Sequence, residues 1–352
     1  MSLSLYAADE DAPSEVVDAP VEDASATEEM KIDETPPPPE VVEAQLRDAQ
    51  AEFDEAKKMF NPWYAGPLLT PGAHILPPGN VNVQPYLFYT SNYGRFDKHG
   101  HSHKISKLRT INPQLPLLFG VLPWMHLSFN AQGVWNKQSG HSSGYWGDTS
   151  LGLGFGLLTE KPYRPAVLFG IKESFPTGRY KHLNRKKNGV DATGAGAYQT
   201  TFSLNTSKVV WWVTLHPMNI RLSLNYTLPS RALVKGFNAY GGGKGTHGKV
   251  HLGNTFQADF GYEYSFTQRW VAALDVVYSY SSKTTFSGRR GFSSPGVRAT
   301  VGGPFNDQLS LAPALEYNPN PNLSFLAGVW FTVWGRNSLN FVSGVVSASY
   351  TF

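Results

Sequence analysis

The 352-residue sequence contains no cysteine and little charge. Without cysteine the chain has no disulfide framework, no thiolate zinc site and no cysteine nucleophile. Charged residues make up 16% of the chain, whereas soluble domains average roughly 25%. The mean hydropathy is −0.29, and a bundle of membrane-spanning helices would need repeated apolar stretches of about 20 residues. That class of membrane protein is therefore excluded.

Acidic residues are scarce after residue 60 because most of them lie before it. The first 60 residues carry 17 acids and 4 bases, a net charge of −13. The other 292 residues carry 10 acids and 26 bases, a net charge of +16. The overall +3 is thus the sum of two chemically different parts, which we interpret separately.

The acidic part contains three predicted segments. Residues 1–8 are mostly apolar and end in Ala-Ala, so they form either the remnant of a secretory signal peptide or an ordinary terminus. Residues 9–39 are acidic and Pro-rich, a composition that predicts disorder. Residues 40–60 carry an apolar stripe at helical spacing and predict one helix, exposed or docked at the periphery.

The dominant pattern beyond residue 80 is alternation with period two. Between residues 252 and 266 the even positions are mostly apolar or aromatic, and the odd positions are polar or glycine. Such alternation places the two sets on opposite faces of a strand. We find twelve segments of this kind, at 81–92, 107–120, 125–137, 147–158, 165–175, 197–211, 218–229, 250–266, 269–282, 305–318, 322–335 and 339–352.

Three further features decide between a membrane barrel and a soluble β-sandwich or lipocalin-like barrel. The connections between the predicted strands alternate long and short, as in outer-membrane barrels with short periplasmic turns. Aromatic residues gather where strands meet turns, which predicts two girdles at the membrane interfaces. The last strand ends in Tyr350 and Phe352, which resembles the C-terminal signature of Gram-negative outer-membrane barrels. We predict an all-β fold, a transmembrane antiparallel up-and-down barrel of about 12 strands at residues 81–352.

A Pro- and Gly-rich lead-in at residues 61–80 precedes the first strand. The stretch from Asn61 to Pro71 reads NPWYAGPLLTP, and the stretch from Ile75 to Tyr86 reads ILPPGNVNVQPY. Together with the strand pattern they resemble the outer-membrane family named after the meta-pathway of phenol degradation, over roughly residues 61–352. The resemblance implies a proposed transporter of small, often aromatic compounds. Rigid and non-helical, the lead-in is expected to tuck into or across the periplasmic mouth.

Charges on the predicted wet face form the first candidate site. They are Arg221, Asp259, Glu263, Arg269, Asp275 and Glu316. Charges of both signs in a narrow lumen build a constriction that sets ion selectivity, or they pair with one another for purely structural reasons. Both interpretations stay open at this point. On the other side of the lumen the alternation predicts an aromatic wall of Trp330, Trp334 and Phe341.

Basic residues concentrate in the predicted outer loops, including Arg185, Lys186, Lys187, Arg289 and Arg290. Because these loops face outward, we favour contact with lipopolysaccharide phosphates over attraction of anions to the mouth, and both over nucleic-acid binding. Three imidazoles at His99, His101 and His103 would suit a transition metal, but a solvated loop is the favoured interpretation. We therefore predict no metal site and no cofactor.

No sequence motif supports catalysis. The stretch from Gly140 to Gly144 holds a His-Ser pair but lacks the Asn that accompanies it in barrel phospholipases. The stretch from Gly243 to Gly248 matches G-x-G-x-x-G formally but precedes a strand, so it cannot open a nucleotide-binding helix.

The sequence thus predicts a non-enzymatic outer-membrane channel for passive uptake of small solutes, including aromatic or amphipathic ones. The alternative is a structural barrel with a filled lumen, whose acidic periplasmic tail binds envelope partners. The expected partners are outer-membrane lipid, lipopolysaccharide, a small solute and the barrel-assembly machinery, with no nucleic acid.

Overall fold

The computed structural model describes residues 38–59, 63–211 and 216–352. The chain divides into two compact units, residues 1–56 and 57–352, which we treat separately. The expected signal remnant at 1–8 lies outside the described residues, as does the expected disordered segment at 9–39 except for its last two positions.

The described residues of the first unit belong mainly to a helix, α1, at Pro39–Met59, which ends just beyond the unit's boundary. It begins at the end of the proline run, where the fixed φ of proline suits the first helical turn, and Glu40 complements the positive helix N-terminus. Its apolar residues Val41, Val42 and Leu46 are exposed. No helix among the described residues is long and apolar enough to cross a membrane.

The second unit is a closed barrel of twelve antiparallel strands. The strands are β1 (Tyr86–Phe96), β2 (Ser102–Leu122), β3 (Met125–Gln138), β4 (Thr149–Leu158), β5 (Ala166–Phe175), β6 (Gln199–Val210), β7 (Met218–Pro229), β8 (Thr255–Ser265), β9 (Trp270–Ser281), β10 (Asn306–Asn320), β11 (Leu323–Arg336) and β12 (Leu339–Thr351). Each strand pairs with its neighbours in sequence, and β12 pairs with β1 to close the ring. The predicted fold class is confirmed.

Burial alternates along the barrel strands and shows which face points outward. In β7 the side chains of Ile220 and Leu222 are exposed, whereas those of Asn219, Arg221 and Ser223 are buried. An exposed apolar outside and a buried polar inside is the reverse of a soluble protein. Closure leaves no strand edge unpaired, which a hydrocarbon environment requires. The second unit is therefore a transmembrane β-barrel.

The described residues also form seven short strands, of which the first two belong to the barrel sheet and the other five form separate sheets of three and two strands. They lie at Val81–Val83, His141–Trp146, Arg231–Lys235, His247–His251, Thr285–Arg289, Phe292–Ser294 and Val297–Arg298. The strand predicted at 81–92 is broken at Gln84-Pro85, because proline cannot donate to the ladder. The strand predicted at 250–266 is likewise divided, with a gap at 252–254.

One predicted connection is much shorter than expected. The predicted strands at 81–92 and 107–120 leave a long loop at 93–106, but the structure has a five-residue turn at 97–101, because β1 and β2 continue pairing beyond the apolar band. Two antiparallel strands can stay paired through polar residues that project into water, because their hydrogen bonds join backbone groups only. We assign the end of the barrel with the shorter turns to the periplasm and call the other end outer.

The lead-in passes close to the barrel wall at Gly120, on β2. Gly79 donates its N–H to the Gly120 carbonyl and the Gly120 N–H bonds the Asn80 carbonyl, both at 2.9 Å. A Cβ at position 120 would stand 1.9 Å from the Pro77 carbonyl oxygen. Only glycine therefore allows the lead-in backbone to approach the wall at this point.

We predict that Gly120→Ala displaces the lead-in from β2 and destabilises the barrel by about 1–3 kcal/mol, as overpacking does. The matched control is Gly344→Ala, because a Cβ at position 344 meets nothing within 4 Å. The measurements are the unfolding temperature in detergent and the rate of proteolysis within the lead-in. Equal unfolding temperatures and cleavage rates for the two variants would contradict this account.

Candidate functional site

The lead-in lies inside the periplasmic half of the lumen, where barrel side chains bind its backbone. Asp275 accepts hydrogen bonds from Leu69 N at 3.1 Å, from Thr70 N at 2.9 Å and from Thr70 Oγ1 at 2.5 Å. Glu316 accepts one from Ala65 N at 3.1 Å. An irregular segment inside a barrel has backbone donors that no ladder satisfies, and lumen carboxylates satisfy them here.

Two further polar side chains hold the ends of the same segment. Asn318 donates from its side-chain amide to the Trp63 carbonyl at 2.7 Å. At the other end Ala73 donates its N–H to Ser207 Oγ at 2.9 Å. These residues belong to β10 and β6, on different sides of the barrel, so the lead-in crosses the lumen.

Arg221 is the central cation of this half of the lumen. Its Nε lies 2.7 Å from Glu263 Oε2 and its Nη2 lies 3.3 Å from Glu263 Oε1, a two-pronged ion pair on adjacent strands. A Cβ at Gly66 or Gly72 would stand 3.0 or 2.8 Å from Arg221 Nη1. The guanidinium therefore lies against the lead-in backbone at two places where a side chain would not fit. Gly66 also has a φ of 109°, which disfavours any other residue.

Apolar contacts complete the attachment of the lead-in. Leu68 is 2% exposed and packs with Ala312, Leu326 and Val345 of the barrel wall. Burying a leucine side chain contributes about 1.5–3 kcal/mol. The lead-in is thus a packed part of the barrel interior.

Five of the six predicted constriction charges lie in the lumen and are buried, namely Arg221, Asp259, Glu263, Asp275 and Glu316. The prediction was wrong for Arg269, which does not lie in the lumen. The alternation placed it on the wet face, but β9 begins only at Trp270, so Arg269 is in the turn before it and its side chain is exposed. The period-two rule does not extend past the end of a strand.

A cavity of about 620 Å³ remains in the lumen beside the lead-in. Its polar lining comes mainly from β3 to β7, with Ser128, Asn130, Ser150, Thr201, Ser203, Asn205 and Asn225. Glycines on β4 and β5 make room for neighbouring side chains. A Cβ at Gly154, for example, would stand 2.1 Å from His126 Nε2.

Lys172 is a lumen charge outside the set predicted from the sequence. It lies on β5, lines the cavity and is exposed to it. Among the described residues its ammonium group takes part in no ion pair, and its electrostatic partner is Asp259 on β8. Asp259 is itself bound by the side-chain amide of Gln257, at 2.9 and 2.8 Å. The period-two alternation predicts an inward-facing Lys172, because Lys172 has the same parity as Ala166 and Leu168, which also face inward.

An aromatic wall lines the opposite side of the lumen. Trp330 and Phe341 lie edge to face with their ring centroids 4.8 Å apart, and Phe88 lies 6.5 Å from Trp330. Trp330 Nε1 donates to Ser310 Oγ at 2.9 Å. A second cavity of about 420 Å³ borders Trp330 and Phe341.

Trp334 does not belong to this wall, which corrects the prediction. Thr332 pairs with Ser310, but Trp334 pairs with Leu309, so Val333 is an extra residue in β11. A β-bulge of this kind reverses the faces beyond it. Trp334 therefore shares the outward face with Leu309 and is 39% exposed.

The connection between β5 and β6, residues 176–198, folds back toward the outer mouth. Asn136 faces the lumen at the outer end of β3, and its side-chain amide donates to the carbonyls of Val190 and Ala192, both at 3.1 Å. Above the barrel, an apolar cluster of Ala197, Ala232, Val234, Val250 and Val301 orders the outer loops. The outer end is thus partly covered by packed chain.

The five cations predicted to face lipopolysaccharide lie in these outer loops. Lys186, Arg289 and Arg290 are exposed, and so is Arg185, which donates to the Ser293 carbonyl. Lys187 donates to the Ser142 carbonyl at 3.3 Å. Their contact with lipopolysaccharide stays a prediction, as does the role of Tyr350 and Phe352, which lie at the end of β12 with exposed side chains.

Histidine and carboxylate pairs lie in turns at both ends of the barrel. At the outer end the hydrogen bond with His103, supported by the N–H groups of His99 and His101, holds the pKa of Asp97 well below its ordinary value. No group of three or more such side chains in the described part of the chain is arranged to hold a metal ion.

At the periplasmic end, His74 of the lead-in lies 2.9 Å from Glu160. Burial raises the pKa of Glu160, but hydrogen bonds from His74, Val209 and Lys208 outweigh burial and leave the pKa below its ordinary value. This attachment of the lead-in is therefore present above the ordinary pKa of a glutamate and is lost as the pH falls through the lowered one.

No family model matches the sequence, and no curated protein matches it. Among solved structures the fold is similar to that of an outer membrane channel from Pseudomonas putida F1. The TM-score is 0.63 and the identity 12%, over 81% of this chain and 100% of that chain. At this identity the likeness shows a shared fold.

Two weaker matches have TM-scores under 0.5, too low to bear on this chain. The translocator domain of the autotransporter NalP from Neisseria meningitidis matches with a TM-score of 0.42 and 11% identity, over 89% of this chain and 98% of that chain. The CymD monoaromatic hydrocarbon channel matches with a TM-score of 0.41 and 11% identity, over 79% and 89%.

The closed ring of twelve antiparallel strands, its apolar outer face and the fold shared with an outer membrane channel define the class. The protein is a transmembrane β-barrel of the outer-membrane type.

We predict that Asp275→Ala releases the middle of the lead-in, because Leu69 N, Thr70 N and Thr70 Oγ1 lose their acceptor. Each hydrogen bond to a charged group is worth about 1.5–3 kcal/mol. Limited proteolysis should then cut between residues 63 and 80 faster than in the parent protein. The matched control is Asp259→Ala, which removes a lumen carboxylate bound to Gln257 rather than to the lead-in. Equal cleavage of both variants would refute the assigned role of Asp275.

Proposed function

We propose that the protein is a channel for passive uptake of small solutes across the outer membrane, and that these solutes are aromatic or amphipathic. The observation that carries the proposal is the cavity of about 620 Å³ beside the lead-in, with the exposed Lys172 in its wall. This volume lies within the roughly 300–1,000 Å³ of small-molecule sites. A lumen needed only for structure would gain stability by filling this space.

The two walls of the lumen suit two parts of one molecule. Lys172 and the hydroxyl and amide side chains around the cavity favour a polar or anionic group. Trp330 and Phe341, near the second cavity, favour an aromatic ring, because aromatic pairs add about 0.5–1.5 kcal/mol beyond area burial. A solute carrying a ring and a charged or polar group fits this arrangement better than a simple ion.

The buried charges around the lead-in contribute little to selectivity in this proposal. Arg221 is neutralised by Glu263, and Asp275 and Glu316 bind lead-in N–H groups. Of the two cations that line the cavity, Arg221 is paired with Glu263, whereas Lys172 takes part in no ion pair among the described residues. We therefore move the selectivity role from the predicted constriction residues to Lys172.

The second candidate is a structural barrel whose acidic tail binds envelope partners. The attachment of the lead-in across the lumen favours it, because a filled lumen conducts nothing. Under either proposal the partners would be outer-membrane lipid, lipopolysaccharide and the barrel-assembly machinery, with a small solute added for a channel.

We predict a steady single-channel current in planar bilayers with a preference for anions. Lys172→Gln should lower the ratio of anion to cation permeability on the order of twofold or more, because a lumen charge sets the electrostatic barrier. The control is Lys161→Gln, which removes an exposed lysine from the turn between β4 and β5. Absence of steady current from the parent protein would favour the structural barrel, and an unchanged ratio in Lys172→Gln would remove Lys172 from the pathway.

We predict that Trp330→Ala lowers uptake of an aromatic sulfonate into proteoliposomes relative to gluconate, which has the same charge but no ring. The expected change in the uptake ratio is about two- to tenfold, equivalent to the roughly 0.5–1.5 kcal/mol of an aromatic contact. Trp334→Ala is the matched control, since it removes the same side chain from the outward face of the same strand. Equal uptake ratios in the two variants would count against aromatic selectivity.

A further inference from the structure

Two basic side chains oppose each other on the outward wall formed by β2 and β3. Arg109 and Lys137 are direct cross-strand partners, and both are exposed. Directly opposed like charges destabilise a sheet unless something compensates them. No acidic residue occurs anywhere between Asp97 and Asp148, so neither strand supplies a counter-charge.

The ten acidic residues after residue 60 are all engaged elsewhere. Their partners include His103 for Asp97, Thr200 for Glu173, Arg336 for Asp307 and, for Asp148, the N–H of Gly178. Neither Arg109 nor Lys137 takes part in an ion pair or a side-chain hydrogen bond in the described part of the chain. The two cations therefore have no partner of the opposite charge within the protein.

The height of the pair on the barrel indicates what lies opposite it. The next outward-facing pair, one step closer to the membrane centre, is Ile111 with Trp135. These side chains are 44% and 60% exposed. Trp135 lies flat over Gly144, where a Cβ would stand 2.4 Å from the indole. Exposed tryptophans mark the level of the membrane interface. Two residues farther along a strand, about 7 Å, Arg109 and Lys137 reach the phosphate level of the outer leaflet.

We propose that Arg109 and Lys137 form a binding site for the phosphate groups of lipid A in the outer leaflet. The site combines the two elements that such a lipid needs, cations at headgroup height and an apolar wall directly below them. That wall includes Ile111, Leu115 and Trp135, all exposed and outward-facing. A phosphate between the two cations neutralises both and forms charge-assisted hydrogen bonds. The site lies on the outside of the barrel, so it is independent of the lumen and of the proposed channel.

The test is a titration of the purified full-length protein in detergent, with binding measured by native mass spectrometry. Its three arms use bis-phosphorylated lipid A, dephosphorylated lipid A and inorganic phosphate. We expect bis-phosphorylated lipid A to bind, and the double variant Arg109→Gln with Lys137→Gln to bind it at least tenfold more weakly. Dephosphorylated lipid A should bind at least tenfold more weakly than the phosphorylated form. Inorganic phosphate at equal concentration should not displace the lipid.

Two further variants keep the test decisive. Lys137→Glu places an opposite charge across from Arg109, so the pair is stabilised while the phosphate site is lost. The control Lys161→Gln removes an exposed lysine from the periplasmic turn between β4 and β5, far from the outer leaflet, and should bind lipid A as the parent does. Undiminished binding by Lys137→Glu or by the double variant would overturn the proposal. Displacement of lipid A by inorganic phosphate would overturn it too, because the site would then be a general anion site.

Discussion

Backbone N–H and C=O groups that are shielded from water must find a partner within the chain, and this constraint shapes both the barrel wall and the lead-in packed inside it. For the twelve strands, closure of β12 on β1 satisfies it. The lead-in belongs to no ladder, and its donors are satisfied one by one by side chains of the wall. Asp275, Glu316 and Ser207 accept from Thr70, Ala65 and Ala73. The barrel strands thus satisfy their backbone groups through the ladder, and the lead-in satisfies its own through side chains of the barrel wall.

The same requirement explains why so many charges are tolerated inside. A buried carboxylate is costly unless hydrogen bonds and opposite charges surround it. The lead-in supplies N–H donors, and Arg221 supplies the positive charge beside Glu263. Because these groups satisfy one another, Lys172 differs from Arg221 in lining the cavity without an ion pair among the described residues, and its electrostatic partner is Asp259. The proposed role of Lys172 in selectivity rests on this difference.

Much of the fold could be predicted from the sequence because alternation is a local property. The twelve strands and the inward placement of Arg221, Asp259 and Glu316 follow from counting positions by twos. The count fails where the backbone departs from a regular strand. Trp334 faces outward because of the bulge at Val333, and Arg269 lies outside β9. No local sequence pattern predicts the bulge at Val333 or the start of β9 at Trp270.

By itself, the sequence determined the class of fold, the strand number and the division between an apolar outside and a polar inside. Period-two alternation and the acidic composition of the first 60 residues are properties that need no tertiary contact. Tertiary structure alone decided that the lead-in crosses the lumen, that Arg221 lies against Gly66 and Gly72, and that Arg109 opposes Lys137. The lead-in contacts join residues that are far apart along the chain, so they need the closed barrel. The Arg109–Lys137 pair depends on the register of two consecutive strands.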